Sequence, residues 1–345
     1  MSDRLNQIDN LRGLAILFVI TAHILNINET PVLFEIGAPF YFGRIGVYLF
    51  FIVSGYCIFG SIKKINISYF KNTLLFLIKR FLRLYPLYWL SVIFTIIILK
   101  DKNFSINEIL YNMTMLNSLF GIRDLQGVYW TLFLEIIFYS IIAFYLIIFK
   151  NKKKKFKQIG ILFLFIFLLS SLFRLFINSH LPYGHFMWLT LFMLGCYINI
   201  FEKDKKKLTK YSMVFIFVIS ICLLLIYVDI NFFENTKLIK TNLLIKHFFS
   251  YILSIIVFFI LFFFSKKIFL LSFLGLISYP LYLTHDLTYV VFESISFFDF
   301  NSLIISKFFK FFSAVFFAFA VHFIFEKKIL NFLRKINFYI LSNKA

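Results

Sequence analysis

Asp9-Asn10-Leu11-Arg12-Gly13-Leu14-Ala15-Ile16-Leu17-Phe18-Val19-Ile20-Thr21-Ala22-His23 decides how the rest of the chain is read. It is an apolar helical run interrupted by an arginine at one end and a histidine at the other. The two stand eleven positions apart. At about 100° per residue they fall within roughly 20° of each other on one helix face, about 16 Å apart along the axis. Asp9 lies within about 40° of the same face. An imidazole deep in a membrane helix is costly, so its default reading is functional.

Apolar stretches of this kind recur along the whole chain. The 345 residues are 61% hydrophobic, with a mean hydropathy of +0.89. That excludes an ordinary soluble domain and predicts an all-α, polytopic membrane bundle. Ten spans are expected, at 8–27, 45–62, 74–99, 129–149, 158–177, 186–201, 212–228, 245–265, 268–292 and 304–325. No stretch between them is long and polar enough for a soluble extracytoplasmic domain, so residues 1–345 read as one integral-membrane domain. The first run lacks a small-residue cleavage site after it and reads as a retained helix. Cys57, Cys196 and Cys222 all sit in apolar segments without paired spacing, which gives neither a disulfide framework nor a zinc site. The 54 Phe residues read as an aromatic-rich membrane surface.

The net charge of +20 raises nucleic acid as a partner, but its distribution points to a bilayer. With the N-terminus cytoplasmic, roughly three quarters of the 36 Lys and Arg residues fall on the cytoplasmic side of ten spans. They form solvated runs such as Lys152 to Lys155 and Lys205 to Lys207. The other side holds a sparse set that includes Arg44, Lys102 and Arg123. This bias places both termini in the cytoplasm, with the lysine loops facing anionic lipid. The longest outer loops are expected at 28–44, 101–128 and 229–244.

Four polar groups interrupt the spans. His23, in the outer half of the first, reads either as a buried histidine bonded to a helix carbonyl or as a general base able to take a proton from an alcohol. Arg80 and Arg83 are neighbours on one face at the cytoplasmic edge of the third. They suit a phosphate clamp and equally a snorkelling boundary pair. Trp130, Thr131 and Glu135 open the fourth. Glu135 could accept from an acceptor hydroxyl or pair with Arg123 or Arg174. Ser278, Tyr282, His285 and Tyr289 share one face of the ninth and either line a polar path or pack. His322 and Glu326 read as a cytoplasmic-edge pair, and His180 and His185 as solvated loop histidines. There is no phosphate-binding glycine loop, no HExxH and no GxSxG elbow.

Taken in order, five motifs resemble the acyltransferase family 3 membrane proteins over about residues 5–330. They are Asp9-x-x-Arg12-Gly13-Leu14-Ala15 with His23, Gly46 to Tyr56, Arg80 with Arg83, Trp130 to Glu135, and Ser278 to His285. The resemblance implies about ten membrane helices in a bacterial inner membrane. It also implies transfer of an acyl group, usually acetyl, from acyl-CoA to a hydroxyl of an extracytoplasmic carbohydrate such as O-antigen, capsule or exopolysaccharide. Arg12 and His23 match the family's important arginine and histidine, and Arg80 and Arg83 its arginine pair. The family's Glu-x-Pro stands here as Glu326-Lys327-Lys328.

On that resemblance His23, Arg12 and Glu135 are the catalytic candidates. Arg80 and Arg83 meet the phosphates of acetyl-CoA. Asp9, Ser54, Tyr56, Trp130, Tyr282 and His285 line the pocket, and no metal is expected. Ser54, Tyr56 and Arg12 are candidates for stabilising the oxyanion. An acyl-enzyme relay through His23 is a variant of direct transfer. The same polar residues also suit a transporter or flippase for a glycan. A third reading is a membrane partner that hands acyl groups to a separate periplasmic enzyme.

Overall fold

The computed structural model describes residues 2–25, 41–62, 69–149, 153–177, 183–233, 237–264, 266–294 and 303–342. All regular structure among them is helical. In chain order the helices are α1 (Ser2–Leu25), α2 (Phe42–Ile62), α3 (Tyr69–Ile98), α4 (Ile106–Met113), α5 (Trp130–Phe149), α6 (Lys153–Ile177), α7 (Tyr183–Phe201), α8 (Lys205–Phe233), α9 (Lys237–Phe263), α10 (Phe269–Leu276), α11 (Ser278–Ser294), α12 (Leu303–Val321) and α13 (Lys327–Ser342). A π-helical turn, His322–Glu326, joins the last two. Among the described residues, 6 helices are long and apolar enough to cross a membrane, with shorter apolar helices at Gln158–Phe173 and His185–Phe201.

The described residues of the expected spans are mainly helical, with three differences. The ninth span is broken at Ile277. Pro280 has no N–H to offer the carbonyl of Leu276, and its ring crowds that carbonyl, so the helix stops and restarts at Ser278. The expected outer loop 229–244 is mostly helix, α8 running to Phe233 and α9 starting at Lys237. Ile239 and Leu243 stand there four residues apart, the spacing of helix neighbours. His185 lies inside α7, its ring 5.4 Å from that of Trp188. The outer loop at 28–44 falls, up to residue 40, outside the described residues, as do His180 and the side chain of Arg174.

The chain forms two compact units. The first comprises Met1–Ala22, Asn26–Tyr69 and Phe144–Gly275. Its α2 and α7 approach closely through small residues, as membrane helices do. A Cβ on Gly55 would lie 1.9 Å from the carbonyl oxygen of Phe192, and one on Gly195 2.0 Å from that of Ile52. The seam is fastened by Asn199, which donates to the Tyr56 carbonyl at 2.9 Å, and Cys196, whose thiol donates to that of Gly55 at 3.2 Å. Because the obstacle at Gly55 is backbone and cannot swing away, Gly55→Val should cost at least the ~1–3 kcal/mol typical of overpacking. The check is thermal unfolding in detergent, with a fall of several degrees expected against Gly127→Ala, where a Cβ meets nothing within 4 Å.

The second unit comprises His23–Leu25, Phe70–Ala143 and Leu276–Ala345. Its connection between α3 and α5 is folded. Ser105 and Glu108 cap α4 reciprocally, and Arg123 pairs with Glu108. The Ser105 backbone N–H, and then Arg123, hold the Glu108 carboxyl below the usual carboxylate range. The ionised form is therefore favoured in the folded loop. Its contribution is complete above pH of about 4.5 and is lost as the pH falls through the lowered value. Tyr88 and Trp89 of α3 donate to the carbonyls of Asn112 and Met113 at 2.6 and 2.9 Å and hold this loop down.

α11 is tied to its neighbours by polar bonds. Tyr279 donates to the Leu84 carbonyl at 2.8 Å, Ser91 donates to that of Leu283 at 3.0 Å, and Tyr282 meets Thr131 at 2.7 Å. These bonds fix its rotation and turn Ser278, Tyr282, His285 and Tyr289 inward, all of them buried.

Candidate active site

Within the second unit, the last turn of α1 and the middle of α11 bring three ionisable side chains together. Nδ1 of His23 lies 2.8 Å from Oδ1 of Asp286. A carboxylate only accepts, so Nδ1 donates its hydrogen and Nε2 is left as a bare lone pair. His285 stands behind this pair. Its Nδ1 is 3.0 Å from the Leu281 carbonyl oxygen and 3.0 Å from that of Tyr282, so it too carries its hydrogen there. Its Nε2 lies 3.3 Å from the same Oδ1 of Asp286. The two imidazoles meet edge to face, with centroids 4.8 Å apart. The side chains of His23 and Asp286 are 38% and 30% exposed, whereas His285 is fully buried. An incoming molecule therefore meets His23 and Asp286 and is kept from His285. Lys102 adds a positive charge within electrostatic reach of Asp286.

Nitrogen and oxygen atoms of His23, His285 and Asp286 lie within 4.8 Å of one another, the one His/Cys/Asp/Glu group with that property among the described residues. The bond between His23 and Asp286 gives the centre its chemistry. A carboxylate on Nδ1 fixes the tautomer of an imidazole, aims its other nitrogen outward, and stabilises the imidazolium that forms when it takes a proton. That is how the carboxylate and histidine of a hydrolase triad divide their work.

A second polar group in the same unit gathers Arg80, Arg83 and Glu135. The Arg80 guanidinium lies over the rings of Phe76 and Tyr139, 5.4 and 5.6 Å from their centroids. Tyr139 donates to Glu135 one turn earlier in α5. Arg83 lies within electrostatic reach of both Tyr139 and Tyr279. His322 and Glu326 bond at 2.6 Å, and Glu326 is also close enough to act on Tyr279. Glu135 thus keeps company with the arginine pair, while Arg123 is taken by Glu108 in the loop. Trp130 is half-buried at the start of α5, and Tyr282 is bonded to Thr131 and to the Val128 carbonyl.

The remaining candidates belong to the first unit. Arg12 donates to the Cys57 sulfur at 3.7 Å, and Tyr56 donates to Glu202 at 2.7 Å. Ser54 is half-buried in α2. The Asp9 backbone packs against Gly275, and its neighbour Asn10 bonds Lys266, Ile268 and Ser272.

Sequence reasoning passed over Asp286 and Tyr139. Asp286 had a signal, since it directly follows His285 and is an aspartate inside an apolar helix. Tyr139 is four residues beyond Glu135, the spacing of helix neighbours.

A histidine oriented by a carboxylate is an arrangement able to take up a proton. The family model described as an acyltransferase domain, that of acyltransferase family 3, matches residues 5–327. The chain belongs to that family and is a multi-pass membrane protein of the acyltransferase type. No curated protein and no solved structure matches it.

Proposed function

We propose that this chain moves an acyl group, acetyl in the simplest case, from cytoplasmic acyl-CoA to a hydroxyl of an extracytoplasmic carbohydrate. His23 acts as the base and Asp286 orients it. The observation that carries the reading is the 2.8 Å bond between them. The bare Nε2 of His23 takes the hydroxyl proton as the hydroxyl oxygen attacks the thioester carbonyl. The tetrahedral intermediate then expels the CoA thiolate, which recovers that proton from His23. Asp286 offsets the charge of the transient imidazolium. The product is an ester and free CoA. This scheme uses direct transfer and no metal cofactor.

Ten spans with both ends in the cytoplasm of a bacterial inner membrane fit the charge bias, and the reading uses that arrangement. Arg80 and Arg83 then face the cytoplasmic side, where guanidinium groups match CoA phosphates. Tyr139 donates to Glu135 and carries the Arg80 guanidinium over its ring, which holds both side chains in place. Arg83→Gln should raise the KM for acyl-CoA by about tenfold, the loss of one charge-assisted bond of ~1.5 kcal/mol, with a smaller change in kcat. Steady-state kinetics on detergent-solubilised protein check this.

The overall reading is tested by mass spectrometry of surface glycans from cells making the wild type or His23→Ala at matched levels. An acyl mass increment in the wild type alone supports it and names the group. An increment in both removes His23 as the base. If neither shows one and solubilised protein neither transfers nor hydrolyses acetyl from acetyl-CoA, transport of a glycan becomes the better account.

A further inference from the structure

His285 leaves one atom unexplained. Its Nδ1–H is fixed on two backbone carbonyls, so its Nε2 is a lone pair. That lone pair is wholly buried, has no hydrogen-bond partner, and faces a carboxylate oxygen 3.3 Å away. Two electron-rich atoms at that separation repel each other unless something positive lies between or beside them. Backbone carbonyls on the far nitrogen of an imidazole are the usual support of a metal-ligating histidine, since they fix the tautomer and the ring plane. The 3.3 Å separation also matches the edge of a tetrahedral ion with ligands at about 2.0–2.1 Å, which is roughly 3.3 Å. His23 brings a third donor within 4.8 Å, and its partial exposure leaves an entry and an open fourth position.

We infer that His23, His285 and Asp286 form an inhibitory site for a borderline divalent transition ion, represented by Zn2+. Two imidazole nitrogens and one carboxylate suit such an ion and disfavour Mg2+ or Ca2+, which demand oxygen ligands. The carboxylate and Nε2 of His285 meet the ion bare, and His23 meets it through Nδ1, the atom 2.8 Å from Asp286, once the ring's hydrogen has moved to Nε2. Once bound through Nδ1, the ion leaves the ring's hydrogen on Nε2, where the hydroxyl proton would be accepted, so the metal-bound and catalytic states exclude each other. This inhibition rests on the transferase reading above, whereas the binding does not.

The test uses the full chain, purified in detergent, stripped with EDTA and dialysed against micromolar Zn2+. Bound metal is counted by atomic emission. The wild type should hold one more Zn2+ per chain than His285→Asn, whose amide keeps a donor near the two carbonyls but supplies no imidazole. Asp286→Asn should show the same deficit and serves if His285→Asn fails to fold. Equal Mg2+ should not displace the ion. In the acyl-transfer assay, saturating Zn2+ should lower the wild-type rate by roughly 10²-fold, as loss of the base does, and EDTA should restore it. Wild type without saturable Zn2+, or equal binding by the variants, overturns the site whether or not transfer is detected. Binding without loss of transfer overturns the inhibitory role alone.

Discussion

His23→Ala is expected to lower acyl transfer by roughly 10²–10⁴-fold, the range a positioned general base contributes, at an unchanged protein level in the membrane. Among the described residues the side chain bonds Asp286, and it is 38% exposed. Its removal therefore opens no large cavity, and the loss should fall on the chemical step rather than on folding. The measurement is transfer of labelled acetyl from acetyl-CoA by solubilised protein, alongside thermal unfolding. A low kcat, an unshifted unfolding temperature and an ordinary KM for the donor would place His23 on the reacting atoms. Partial recovery by added imidazole would strengthen that assignment, since a free base can occupy the space left by the ring. Wild-type kcat in the variant would move the base elsewhere, and the remaining ionisable side chains of the second unit would have to be searched.

The helical architecture was legible because mean hydropathy and twenty-residue periodicity are local properties. The bilayer demands that each span satisfy its own backbone, so each announces itself without knowledge of the rest. The break in the ninth span was not legible, since 268–292 reads as one run, although its cause, Pro280, is local. The helix α4 lies inside the stretch 101–128 expected as an outer loop, although Ser105 and Glu108 stand at capping-box spacing. The side-chain partnerships were not local. Tyr56 reaches Glu202 across 146 positions and His23 reaches Asp286 across 263. No periodicity carries such pairings, because they depend on how helices rotate against one another. Asp286 illustrates the difference. Ser278, Tyr282, His285 and Tyr289 mark out one face of α11 by spacing alone, and Asp286 lies at the edge of that face. Only the approach of the last turn of α1 makes the edge, rather than the centre, the place where chemistry gathers. Glu135 shows the converse. Its partner Tyr139 stands one turn away in the same helix, whereas a carboxylate in an apolar span is expected to seek distant charge.

Asp286→Asn is the sharper experiment, because it changes a tautomer and little else. The amide has nearly the shape of the carboxylate but presents an N–H as well as a carbonyl. If the N–H turns to His23, the imidazole must receive it on Nδ1 and carry its hydrogen on Nε2, where the substrate hydroxyl should bind. The base is then blocked although each atom remains near its place. If the carbonyl turns to His23, the tautomer survives, but the negative charge that stabilises the imidazolium is gone. Either way kcat should fall, by roughly 10²–10⁴-fold, with the upper end reached where the wrong tautomer dominates. KM for the acyl donor should hardly change, because the Arg80 and Arg83 group is untouched. Asp286→Ala should fall no further than Asp286→Asn, since a misdirecting amide is at least as harmful as a missing carboxylate. That ordering separates orientation from bulk. A structural role for Asp286 predicts the reverse, with Asn close to wild type and Ala unstable, and unfolding curves recorded beside the kinetics would reveal it. Near-wild-type turnover by Asp286→Asn would show that the 2.8 Å bond to His23 holds two helices together and takes no part in catalysis.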